Sequence, residues 1–237
     1  MRLDTYIAAN GLAKSREKAV WLIENGFVRV DGKITLKTST KLSENQKVEV
    51  DEVKVYVGRG ALKLKGVLED YPIQISGKKC LDIGASTGGF TEILLENGAA
   101  SVYAVDVGSM QLSEELKNNN LVKSFENTDI RDFKPESVFE IVSVDLSFVS
   151  TKELLPIIVP LSTDVIIILF KPQFEVGKNA KRDKKGVVTD TAAIMRAIFD
   201  FELEAKAFGL DVLYKAPCKF AGKEGNQEYF YVFKVCS

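Results

Sequence analysis

The stretch Lys79-Cys80-Leu81-Asp82-Ile83-Gly84-Ala85-Ser86-Thr87-Gly88-Gly89-Phe90 constrains this chain's fold more than any other. An apolar run ends on an acid, a turn of small residues follows, and Phe90, Ile93 and Leu94 then fall at helical spacing. Strand, glycine-rich loop and helix in this order bring backbone amides up to a nucleotide-like ligand. Gly84, Gly88 and Gly89 allow the tight turn and the close approach. Ser86 stands where the dinucleotide fingerprint has its second glycine. The loop therefore fits a nucleotide or S-adenosylmethionine, with a structural turn opening an α/β unit as the alternative. Its expected ligand-facing residues are Asp82, Gly84, Ser86, Thr87, Gly88, Gly89 and Phe90.

Before this stretch the elements are short. Leu3, Tyr6 and Ile7 give a small apolar helix face that Asn10-Gly11 ends, and Ser15 is placed to cap a second helix carrying Ala19, Val20, Leu22 and Ile23. Phe27 to Val30 alternates as a strand, Asp31-Gly32 is a hairpin turn, and Lys47 to Val50 closes a small sheet. Residues 1–65 hold 13 Lys/Arg against 8 Asp/Glu, whereas the whole chain is at −1. A basic module on an acidic larger one points to a polyanion, with ordinary surface variation as the bland alternative. The segments R-L-D, G-L-A-K-S-R-E-K-A and I-E-N-G-F-V-R-V-D-G-K resemble the S4-type RNA-binding domain over residues 1–48. That resemblance implies RNA contacts from Arg2, Lys14, Arg16, Lys18, Arg29 and Lys33, with Arg59 added from the linker. Residues 1–53 are thus expected to form the S4-like domain, 54–60 a linker with Tyr56 as a docking point, and 61–237 the larger domain.

After the loop the pattern is doubly wound. The strand Ser101–Val105 ends in Asp106, placed for a ribose diol, and a weaker strand leads to Asp129, which fits an adenine edge or a simple turn. Ile141 to Val144 presents Asp145, Thr151 to Pro160 reads as a helix, and the apolar run to Phe170 is followed at once by Lys171. Strand tips in open α/β sheets share one crevice, so Asp82, Asp106, Asp145 and Lys171 are expected together. Lys178, Lys181, Arg182, Lys184 and Lys185 crowd a solvated loop, expected to be mobile and to hold RNA phosphates through Lys181, Arg182 and Lys184. A helix over Ala192–Phe208, a polar loop over 221–227 and two last strands complete the chain.

Composition removes several chemistries. There is no histidine, so proton transfer must use Lys, Asp, Glu or Tyr. Cys80, Cys218 and Cys236 form no C-x-x-C pair, which argues against disulfides and zinc and for a reducing cytoplasm. No apolar signal region opens the chain, and its longest apolar run is too short to span a bilayer.

The motifs Y-V-G-R-G-A-L-K-L, D-I-G-A-S-T-G-G-F, V-D-V-G, V-D-L-S-F, L-F-K-P-Q-F-E and G-N-Q-E-Y-F resemble the FtsJ-type ribose 2′-O-methyltransferases. With the S4-like start, the whole chain resembles the TlyA family, long called haemolysins. The resemblance implies a Rossmann-like α/β methyltransferase fold with a mostly parallel seven-stranded sheet behind a small α+β S4 domain. It implies S-adenosylmethionine as cofactor and cytidine 2′-hydroxyls in ribosomal RNA or a ribosomal subunit as substrate; a monomer is expected, with no metal, since no magnesium cluster is evident, and no membrane, since the chain shows no signal, span or strongly cationic apolar helix. The short start at Met1 resembles members acting on 23S RNA, longer ones acting also on 16S RNA. The family tetrad falls on Lys63, Asp145, Lys171 and Glu228. Lys171, crowded by Lys63 and partly desolvated, is then the candidate base, its ammonium pKa depressed against the opposing pull of Asp145 and Glu228. Lys54 and Tyr56 stand where the family linker usually has Arg and Trp, which puts linker coupling in question. The rival readings are a nicotinamide oxidoreductase, a membrane-active haemolysin, and a non-catalytic RNA-binding assembly factor.

Overall fold

Leu3, Ile7, Ala19, Leu22 and Ile23 are all shut away from water in one small core with Val28 and Val30. The structure is a computed structural model that describes residues 1–220, 222 and 225–236. It forms two compact units, Met1–Arg59 and Gly60–Ser237. In the first, α1 (Leu3–Ala9) and α2 (Arg16–Glu24) pack beside an antiparallel sheet of β1 (Val28–Val30), β2 (Lys33–Ile34) and β3 (Val48–Val50), ordered β2-β1-β3. Ser15 Oγ accepts from the Lys18 amide at 3.2 Å, satisfying one orphan donor at the start of α2. Asp31 and Gly32 both take positive φ, 51° and 77°, as a two-residue type I′ turn requires. Residues expected in the linker belong partly to this unit: Val53 and Val55 pack on its core, and the Tyr56 ring lies 6.3 Å from Trp21.

In the second unit, α3 (Arg59–Asp70) leads into β4 (Lys79–Ile83), α4 (Gly89–Glu96), β5 (Ser101–Val105), α5 (Glu114–Lys117), β6 (Val122–Phe125) and β7 (Phe139–Val144). Then come α6 (Thr151–Ile158), a 3₁₀ turn at Val159–Leu161, β8 (Ser162–Phe170), α7 (Pro172–Glu175), α8 (Thr191–Ala207), β9 (Leu210–Pro217) and β10 (Tyr229–Val235). The seven strands run β6-β5-β4-β7-β8-β10-β9. All pairings are parallel except those of β10, antiparallel to both β8 and β9. β8 is buried along Val165–Phe170, the mark of a strand covered on both faces. Phe201 of α8 fits among Phe170, Tyr231 and Phe233, and is itself fully buried. The short α5 and α7 have too few residues for a periodic signal. Of the polar loop expected over 221–227, Ala221, Lys223 and Glu224 lie outside the described residues. No helix among the described residues is long and apolar enough to cross a membrane.

Candidate active site

Strand order reverses between β5 and β7 on either side of β4, and the crevice of an open α/β sheet forms at such a point. A cavity of about 520 Å³ lies there, and Gly84, Ser86, Asp106, Asp129 and Asp145 contribute to its wall. Asp106 Oδ2 accepts from the Ser86 amide at 2.8 Å and Oδ1 from the Gly108 amide at 2.7 Å. These bonds fix the carboxylate and leave each oxygen a lone pair for a further donor. Asp129 is gripped by the Arg131 backbone and guanidinium, which hold its carboxyl down at about 2. Val105, Val107, Ile130, Leu146 and Leu154 supply apolar wall.

Several residues expected on this wall lie elsewhere. Asp82 is fully buried beneath the loop, accepting from Thr91 Oγ1 at 2.7 Å and Ser143 Oγ at 2.9 Å, and burial pushes its carboxyl up to about 6. Phe90 is core, stacked with Phe230 at 6.1 Å. A Cβ on Gly88 would meet Leu116 at 2.2 Å, and one on Gly89 would meet the Ala61 backbone at 2.7 Å. Those two glycines admit neighbouring chain rather than ligand. Thr87 is exposed at the loop tip, off the cavity wall, where its carbonyl accepts from the Ser113 amide. Gly84 behaves as expected of a close approach, at φ +81° with space for a Cβ taken by the Asp145 carbonyl 2.5 Å away.

Beside the cavity stand two ion pairs. Lys171 Nζ is 2.6 Å from Asp145 Oδ1, and Lys63 Nζ is 2.6 Å from Glu228 Oε2. Glu228 is 3% exposed and Lys171 8%, so both pairs are shielded from water. The pairs are neighbours. A Cβ on Gly60, on the α3 turn that carries Lys63, would stand 3.6 Å from Asp145 Oδ2, and the buried Cys218 thiol sits in the field of Lys63, Glu228 and Asp145 together. Gln173, two residues after Lys171, donates from Nε2 to Glu228 Oε1 at 3.1 Å and closes the circuit. Each ammonium thus has its own carboxylate, so pairing, more than mutual crowding of the lysines, sets their surroundings. Asp145 belongs to both halves, lining the cavity and holding Lys171.

Several site residues carry no signal in the chain pattern. Ser147 Oγ accepts from Lys171 Nζ at 2.9 Å. Phe148 is 90% exposed at φ +66°, with its ring 5.0 Å from that of Phe174. A bulky residue held in that backbone region is costly, and such strain collects at functional sites. Glu175 accepts from Ser150 Oγ and the Thr151 amide, both at 2.7 Å, tying the Asp145–Phe148 loop to the segment after Lys171. The V-D-L-S-F and K-P-Q-F-E runs mark the place without revealing these contacts.

The candidate RNA cations divide. Arg2 and Arg16 both grip the buried Asp4, at 3.0 and 2.8 Å, and Arg29 grips Asp51 at 2.5 Å. The Arg2 hydrogen bonds hold the Asp4 carboxyl far below the usual range despite its burial. These three arginines are fastened within the first unit. Lys14, Lys18, Lys33 and Arg59 are exposed. The loop expected to be mobile folds as a hydrogen-bonded hairpin, the Asp183 amide donating to Val187 and the Thr189 amide to Lys181. Arg182 points its guanidinium at backbone carbonyls, while Lys181 and Lys184 are exposed. No group of three His, Cys, Asp or Glu among the described residues could hold a metal ion.

The FtsJ-like methyltransferase model matches residues 56–235 and the S4 domain model residues 1–48, so the class is an S4-bearing FtsJ-like methyltransferase. A Campylobacter jejuni protein called 23S rRNA (cytidine-2′-O)-methyltransferase TlyA is 45% identical, over 98% of this chain and 99% of its own length. The Mycobacterium tuberculosis protein called 16S/23S rRNA (cytidine-2′-O)-methyltransferase TlyA is 41% identical, over 97% and 88%. A solved structure from Streptococcus thermophilus, described as a hemolysin, superposes with a TM-score of 0.75 at 30% identity, covering 100% of this chain and 89% of that one. The chain belongs to the TlyA family.

Proposed function

We propose that this chain transfers a methyl group from S-adenosylmethionine to the ribose 2′-hydroxyl of a cytidine in 23S ribosomal RNA, with 16S RNA as a further substrate. The observation that carries the reading is Asp145, one carboxylate that lines the cavity and holds the buried Lys171. Family membership sets the substrate class, since both TlyA relatives are named for cytidine 2′-O-methylation.

The cavity suits the cofactor. Its volume falls in the range of small-molecule sites, about 300–1,000 Å³, Asp106 has acceptor capacity left for a ribose diol, and the apolar wall suits an adenine face. When bound, the sulfonium supplies an electrophilic methyl carbon. The chain's own work is orientation and proton transfer. With the ribose 2′-hydroxyl held in line with that carbon, its proton would pass to Lys171, which enters the step as an amine only after the ammonium proton it holds beside Asp145 has left to solvent. Asp145 and Ser147 aim that amine. Lys63, fastened to Glu228, sets a fixed positive charge beside the oxygen where negative charge develops, a contribution that counts most where water is excluded. Phe148 offers an exposed ring for the target base, and stacking of this kind is worth about 1–3 kcal/mol per base. Lys14, Lys18, Lys33, Lys181 and Lys184 hold phosphates, which give affinity and register rather than base readout.

The test is transfer of labelled methyl to ribosomal RNA, mapped by resistance of the modified ribose to alkaline cleavage. One protected cytidine is expected in 23S RNA and one in 16S RNA. No ribose label on naked RNA or on subunits would overturn the reading.

A further inference from the structure

Glu228 accepts from two sides, Lys63 Nζ at one oxygen and Gln173 Nε2 at the other. The amide end of Gln173 can face Glu228 in one way only, because its carbonyl turned round would oppose a carboxylate. Among the described residues Gln173 Oε1 has no partner although it is buried. Leaving such a carbonyl unpaired costs about 1–3 kcal/mol, and among those residues the side chain's hydrogen bonding serves Glu228 alone. Behind it, Arg182 Nη2 donates to the backbone carbonyl of Gln173 at 2.8 Å and to that of Gly177 at 3.4 Å, while Nη1 donates to that of Gly186 at 3.4 Å. The hairpin's other strand is tied to the Glu228 segment, the Val188 amide donating to the buried Asn226 Oδ1 at 3.0 Å. The basic hairpin is therefore fastened to the segments carrying both Gln173 and Glu228. Its lysines at 181, 184 and 185 face outward.

We propose that Gln173 is a positioning residue of this centre: held by Arg182, it orients Glu228 on Lys63 and makes the basic hairpin part of the apparatus that sets the rate of methyl transfer. Arg182 then acts by holding backbone, not by binding phosphate. Lysines that meet RNA on the outside of the hairpin bear directly on the clamp inside it. The inference rests on the methyltransferase reading above, and the wild-type rate on ribosomal RNA tests that reading separately.

Gln173→Glu replaces a donor with a second carboxylate against Glu228. Two carboxylates in contact cannot both ionise freely, so one keeps its proton to a higher pH than an isolated carboxyl would and, while protonated, regains the donor role. At pH 8 the variant is expected to lose on the order of 10- to 100-fold in single-turnover rate, up to the roughly 10²-fold that a misplacement of about 1 Å can cost, with RNA affinity within twofold. Its rate relative to wild type at the same pH should then climb as pH falls toward 6. Arg182→Ala should lower the rate while leaving RNA affinity and its salt dependence unchanged. A ratio flat with pH, a full rate in Gln173→Glu, or an Arg182→Ala effect confined to RNA affinity overturns the inference. Should Gln173→Glu fail to fold, Gln173→Ala decides: a slower rate at unchanged RNA affinity supports the role, and a wild-type rate ends it. A wild type that transfers no methyl to any ribose refutes the function itself.

Discussion

Lys171 occupies the end of β8, where a fully apolar strand delivers a charged group into the crevice. Lys171→Met should lower single-turnover methyl transfer by at least about 10²-fold, the low end for losing a general base, with cofactor and RNA binding measured by calorimetry kept near wild type. Asp82 gives a pH signature. Burial raises its folded pKa to about 6, above the unfolded value, so the folded state binds the extra proton. Stability from this group therefore rises as pH falls from about 6.5 to 4.5, by on the order of 1–2 kcal/mol. Asp82→Asn should flatten that slope in denaturant titrations, and an unchanged slope would count against the assignment. At this scale Asp106, Asp145 and Lys171 were legible because strand ends share one crevice. Asp82 lies inside β4, one residue before its end, whereas Asp106, Asp145 and Lys171 each come just after their strands, and it points beneath the loop; a boundary of one or two residues is finer than pattern can place. Lys63 and Glu228 came only through family motifs, being 165 positions apart in the chain. Gln173 could not be found from pattern at all, since its partner is set by tertiary contact.

At the scale of elements, α1 and α2 are joined by Asp4, a buried acid holding an arginine from each helix's start. Asp4→Asn should destabilise the full chain's first unit by about 2 kcal/mol, as loss of charge-assisted bonds implies. Lys14→Ala and Lys18→Ala should weaken RNA binding with no change in melting. The reverse pattern would return Arg2 and Arg16 to the RNA surface. The Asp4 carboxyl is depressed, so its contribution is present at neutral pH and is lost on strong acidification through the folded pKa. Helices and strands with caps, turns and periodic faces were readable almost end to end; Ser15, Asp31-Gly32 and the β8 run are examples. The four-residue α5 and α7 were not, because one turn of helix leaves no period to detect. Nor was the hairpin around Arg182, where a run of lysines hid a network of backbone bonds.

For the whole molecule, the excess of cations before residue 66 and of acids after it predicts how binding responds to salt. Neutralising Lys14, Lys18 and Lys33 together should reduce the slope of log affinity against log salt by about 3, near one for each phosphate left without its cation. An unchanged slope would place the RNA elsewhere. The order of the seven strands carries one more result. β10 lies between β8 and β9 although it follows both in the chain, and Glu228 immediately precedes it. During translation β9, whose strand partner is β10, cannot join the sheet, and the slot beside β8 stays open until residues 229–235 arrive to fill it. No copy still short of that strand can assemble both lysine clamps, so chemical competence appears only once the slot is closed.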